Sequence, residues 1–209
     1  MMKKGIQSPQ LTDRPHAILN AVAFCFEQIE ARYDRLCELL LQSKRENRFH
    51  EIISTAWDLI DWVERLRKLL GKGAGIKKKE EWYQVAMRVL APAEDLRHFL
   101  QHFDNSVEEC LDKNVSVFGS VSAYCAEGDG YGVVIASSDW ERPGTLADGE
   151  IWLKTDIDFH PPIDQIVLSV GGRKAHLTNL FLLIRQIKAS FDDYVKRVYQ
   201  EVESSSPAP

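Results

Sequence analysis

Little in this chain invites a disulfide or a metal. Cysteine occurs four times, at Cys25, Cys37, Cys110 and Cys125, in neither a CxxC pair nor a dense framework. The thiols therefore read as reduced, and neither a structural zinc site nor a disulfide scaffold is expected. No uncharged apolar run reaches the roughly 20 residues that a bilayer requires. Met1-Met2-Lys3-Lys4-Gly5 leads into polar residues instead of the apolar block of a signal peptide, so a cytoplasmic chain with no membrane attachment is expected. An excess of positive charge is also missing. The formal net charge of -5 argues against indiscriminate binding to nucleic acid or membrane, and leaves room only for a local basic site. What is present, 209 residues at 44% hydrophobic and 27% charged, suits a globular chain with one good core or two small ones.

Hydrophobic spacing organises most of the length. From Ala17 to Leu41 the residues Ile18, Val22, Cys25, Ile29, Tyr33, Leu36 and Leu40 recur at spacings of four and three, the stripe of a long helix that Asp13 and Pro15 can start. After a polar stretch at 42–48, Ile53, Ala56, Ile60, Val63 and Leu70 mark a second helix, and the short link predicts an antiparallel pair. A glycine-rich stop at 71–75 precedes Lys77-Lys78-Lys79 and a third helical segment around Trp82, Val85, Ala86 and Leu90. The stop lacks the GK[ST] ending of a P-loop. Pro92 in a first turn, with Glu94 and Asp95 complementing the dipole, predicts a fresh helix running to Asp104-Asn105, and Ser106-Val107-Glu108-Glu109 predicts a further short turn. The texture then changes to alternation. Val115 to Ala123 and Val133 to Ile135 read as a hairpin, 151–159 and 165–170 as two more strands, and Gly171-Gly172 as the end of the sheet. Thr178 is placed to cap a last amphipathic helix carrying Leu180, Ile184, Ile187, Phe191, Tyr194 and Val198. The expected fold is mainly α: an antiparallel helical bundle over 11–203, with a small antiparallel β-sheet inserted at 114–170 and flexible tails at 1–10 and 204–209.

Chemistry concentrates in Arg97-His98-Phe99-Leu100-Gln101-His102, where a permanent cation meets two side chains of the type that exchanges protons near neutral pH. An Arg, a small polar residue (Asn, Asp or His), three residues and a His is the mark of the HEPN family (higher eukaryotes and prokaryotes nucleotide-binding), and the segment resembles it at Arg97, His98 and His102. Arg45 and His50 repeat the spacing, but Glu46 fails the second position. The resemblance spans Ala17 to Asn105 plus the last helix and does not cover the strand-rich insertion. It implies a helical bundle acting as a dimer, with metal-independent RNA cleavage in active members and only binding in members that have lost catalysis. Carried onto this chain, it makes His102 the acid or base, Arg97 the phosphate contact and His98 a supporting polar group, with no cofactor. On one regular helix, positions five apart lie about 140° apart, so Arg97 and His102 would come from facing protomers or from an Arg that curls round. The plain alternative is a solvated helix face, with Glu94 and His98 paired and Leu96, Phe99, Leu100 and Phe103 buried.

Other clusters are weaker. Lys77, Lys78 and Lys79 are the nearest supply of phosphate contacts if RNA binds, yet Glu80 and Glu81 cancel most of their field and a solvated turn is the usual reading of such a run. Asp156, Asp158 and His160 alternate along a predicted strand and could hold a divalent cation. With Phe118-Gly119-Ser120 they bear a slight resemblance to nucleotidyltransferases, but the separation is too long for that pattern. The expectations are thus a dimeric HEPN-like ribonuclease of toxin or defence type, with RNA and a protein antitoxin as partners, or a non-catalytic module that binds a partner or nucleotide and whose inserted strands form the interaction surface.

Overall fold

The computed structural model describes residues 13–43, 48–72, 76, 78–112, 116–127, 130–137 and 162–205. Six helices and a four-stranded sheet occur among them, in the order α1 (Asp13–Gln42), α2 (Phe49–Gly71), α3 (Glu81–Val89), α4 (Ala91–Gln101), α5 (Phe103–Asp112), β1 (Ser120–Glu127), β2 (Gly130–Ser137), β3 (Ile163–Val170), β4 (Arg173–His176) and α6 (Leu177–Ser205). The mainly helical fold with a small antiparallel sheet is as the periodicity predicts. No helix among the described residues is long and apolar enough to cross a membrane.

The stripes read from spacing are the buried faces. Val22, Cys25, Ile29, Leu36 and Leu40 of α1 meet Ile53, Ala56, Ile60 and Val63 of α2 in one core. The long third partner is α6. Its Phe181 stacks flat on Tyr33 of α1, with ring centroids 3.9 Å apart at 8°, and its Phe191 and Tyr194 join Trp82 of α3 in an aromatic cluster. Ser43 closes α1 by donating from its hydroxyl to the Leu40 carbonyl at 2.7 Å.

The sheet runs β2-β1-β3-β4, antiparallel throughout. Alternation buries Val121, Ala123 and Cys125 of β1, Val134 and Ala136 of β2, and Ile166, Leu168 and Val170 of β3. Several expectations are corrected here. The first strand begins at Ser120, because Gly119 takes φ +82° so close to β3 that a Cβ would lie 2.3 Å from the Ser169 carbonyl oxygen. Gly171-Gly172 turns the chain into β4 instead of ending the sheet. The strand read at 151–159 lies outside the described residues.

Thr178 also has a different task from the cap assigned to it, since it lies within α6. Between the pairs Ser122↔Val167 and Tyr124↔Asp164, Ala123 alone opposes Gln165 and Ile166, with Gln165 at φ +53°. A bulge of this kind takes a backbone group out of the ladder. The Ile166 N–H donates instead to Thr178 Oγ1 at 2.9 Å, and the Tyr33 hydroxyl donates to the same oxygen at 3.2 Å. One buried hydroxyl thus joins α1, β3 and α6. Thr178→Val keeps the shape and strands two buried donors, so urea denaturation should show a loss of about 1–3 kcal/mol, with Thr178→Ser recovering most of it.

Candidate functional site

The motif helix α4 is short and held from two sides. Pro92 stands in its first turn, and Ala93, Leu96 and Phe99 are its buried residues, so the apolar side of the plain reading is correct for Leu96 and Phe99. Over Phe99 sits the β3–β4 turn. A Cβ on Gly171 would meet the Phe99 ring at 2.6 Å, and the Arg173 guanidinium lies 4.9 Å from the ring centroid. Arg173 then reaches Glu109 of α5 at 3.4 Å.

The opposite hold is ionic and comes from α2. Asp61 forms an ion pair with Arg97, and its Oδ2 also takes Arg65 Nε and Nη2 at 2.7 and 2.6 Å. Two guanidinium groups on one carboxylate leave this trio with a formal charge of +1. One turn further along α2, Glu64 is 3% exposed and accepts Arg67 at 2.6 Å and Lys68 at 3.3 Å, while Arg67 also reaches Glu94 of α4 at 2.5 Å. Glu94 was the partner expected for His98, and it is engaged with Arg67.

His102 ends α4. The helix was expected to continue to Asp104-Asn105, but His102 adopts φ -104° and ψ 44°, its N–H closes on the His98 carbonyl at 3.1 Å, and α5 starts at Phe103. The two imidazoles are tilted against each other with centroids 4.2 Å apart at 58°, both exposed. The structure therefore brings His98 to His102 and Arg97 to Asp61. The lysine turn lies elsewhere in the network of contacts: the Lys78 carbonyl accepts Gln84 of α3 at 2.6 Å, and Glu80 pairs with Arg197 of α6 at 3.4 Å. Lys79 is exposed, and Lys77, Asp156, Asp158 and His160 lie outside the described residues. Among the described residues no group of three His, Cys, Asp or Glu side chains could hold a metal ion.

Asp61, Glu64 and Arg67 were missed because acidic and basic residues on a helix usually mark solvent. A signal existed for Glu64, which continues the buried spacing of Ile53 and Ile60. In comparisons with protein families, curated proteins and solved structures, nothing matches this chain.

Burial alone would raise the Glu64 carboxyl, but hydrogen bonds and charge from Arg67 and Lys68 outweigh it and hold the group below its ordinary 4.5. A depressed carboxyl contributes stability that is present above about pH 4.5 and lost as pH falls through the lower folded value. Glu64→Gln should therefore lower unfolding free energy at pH 7 by about 1.5–3 kcal/mol. The gap to the wild type should close in acid, as followed by urea titrations from pH 7 to pH 3.

Proposed function

We propose that the chain is a HEPN-like, RNA-directed endoribonuclease of toxin or defence type, acting without metal as a cytoplasmic homodimer, and that a protein antitoxin restrains it. The observation that supports this reading is the placement of the motif: His98 and His102 in contact on exposed surface at the end of α4, with Arg97, next to His98 in the chain, held by Asp61.

The chemistry follows from these residue types. A ribose 2'-hydroxyl attacks the adjacent phosphorus, its proton passes to His102 as general base, and Arg97 binds the phosphoryl oxygens on which charge builds. The bond from phosphorus to the 5'-oxygen breaks, that oxygen takes a proton from solvent water, and the products carry a 2',3'-cyclic phosphate and a 5'-hydroxyl. His98, against His102, orients that ring. Asp61 positions Arg97, and because Arg65 shares the same carboxylate, the trio keeps a positive charge for the phosphate. A two-fold dimer would supply Arg97 from one protomer and His102 from the other.

The second reading, a binding module without catalysis, rests on the same ion pair, since an Arg97 that serves only to tie α4 to α2 needs no substrate. Purified protein should cut single-stranded RNA in EDTA and leave 2',3'-cyclic phosphate ends. His102→Ala and Arg97→Ala should each lose roughly a hundredfold or more in rate, whereas His50→Ala should lose little. Light scattering should give a dimer. An inactive wild type across a broad RNA panel selects the module, and a strict monomer at high micromolar concentration removes the shared site.

A further inference from the structure

The surface that leads away from Arg97 carries one exposed and one half-buried aromatic side chain. Phe24 of α1 is 50% exposed although it lies next to the buried Cys25 and Phe26. It meets half-buried Trp62 of α2 edge to face, with centroids 5.6 Å apart at 77°. The Arg65 guanidinium lies over the Trp62 ring, 4.7 Å from its centroid, while also bound to Asp61. Asp61 holds Arg97 in turn. Phe24, Trp62, Arg65, Asp61 and Arg97 therefore form one continuous line across α1, α2 and α4. Asp61 on this line is engaged with Arg65 and Arg97, and Asp58, one turn before it on α2, pairs with Arg32 at 3.9 Å.

Resting on the ribonuclease reading, we propose that Phe24, Trp62 and Arg65 form a nucleobase-stacking subsite for single-stranded RNA, next to the phosphate position at Arg97. Each part of the line suits one part of that ligand. A nucleobase presents a flat π-face on both sides, and stacking on an aromatic ring is sequence-tolerant because every base has one. A guanidinium above an indole adds a planar cation that can stack on a base or pair with a phosphate. The positive Arg65–Asp61–Arg97 trio complements the backbone that links one base to the next. A duplex hides its base faces within the helix, so this subsite discriminates for unpaired RNA through geometry instead of through a base-edge code.

The test uses fluorescently labelled 2'-O-methyl oligoribonucleotides of twelve residues, which lack the attacking hydroxyl and cannot be cut, with wild-type protein in EDTA. Fluorescence anisotropy should show single strands bound at least tenfold more tightly than the matching duplex. Phe24→Ala should weaken single-strand binding by about five- to a hundredfold. Phe24→Leu, which keeps apolar area and removes the π-face, should lose nearly as much, and Phe24→Tyr should bind as the wild type does. Phe24 is exposed, so these variants fold, as circular dichroism will check. Unchanged affinity in Phe24→Ala and Trp62→Ala overturns the subsite while leaving the ribonuclease reading to its cleavage assay. Binding that depends on Phe24 in a protein that cleaves nothing overturns the ribonuclease and keeps the subsite. Phe24→Ala that converts a dimer to a monomer with RNA affinity intact makes this face a contact between copies and overturns the proposal.

Discussion

The position of α4 depends on two carboxylates one turn apart on α2. Asp61 holds α4 directly at Arg97, and Glu64 holds it at Glu94 through Arg67. Charge inside a protein is costly unless it is paired and hydrogen-bonded, and Glu64 is held by two cationic partners. The apolar residues of α4, Ala93, Leu96 and Phe99, supply adhesion but little register. A salt bridge, unlike a methyl contact, is lost when a helix slides by a fraction of a turn. The ionic row therefore fixes where Arg97 and the histidines stand, and the geometry at the end of α4 follows from it.

The sheet is anchored with comparable economy. Its bulge at Gln165 and Ile166 gives up a ladder bond, and Thr178 accepts the released N–H while also serving Tyr33. Burial raises the Tyr33 hydroxyl, partly offset by the Thr178 hydrogen bond. Burial likewise pushes the neighbouring Cys37 thiol up to about 12, against its hydrogen bond with Tyr33, with Asp34, Cys125 and Glu38 adding to the rise. Both groups therefore remain protonated through the neutral range, and the junction of α1, β3 and α6 carries no ionised side chain from either. At the other end of β3, the turn at Gly171 rests on Phe99, so the sheet touches the motif helix with backbone on ring.

Much of the bundle was legible because burial writes a period into the chain. The stripes of α1, α2 and α6 appear in the spacing of Val22 to Leu40, Ile53 to Leu70 and Leu180 to Tyr194, and each is buried as read. The break after Gln101 left no such trace. Neither glycine nor proline marks it, and the apolar residues Phe99, Leu100 and Phe103 run straight across it. β4 escaped notice because only Ala175 of its four residues is buried, as at a sheet edge. At the site, the motif named Arg97, His98 and His102, but Asp61 became visible only when α2 and α4 were brought together. Pairing across helices has no period. Phe24 and Trp62 were similarly hidden, since an aromatic residue beside a stripe reads as core edge until its exposure is known.

The junction of β4 and α6 has a mechanical side. β4 ends at His176 and α6 begins at Leu177, so no loop separates the sheet edge from a helix of 29 residues. Such a helix is about 43 Å long, and it turns an angle at its root into a distance at its tip: a tilt of about 5° there moves the far end by about 4 Å. The aromatic contacts of Phe191 and Tyr194 with Trp82, and the Arg197–Glu80 pair further out, sit along that arm and act as its brace. Any load on the sheet edge is thereby passed along α6 to these contacts with α3 and Glu80.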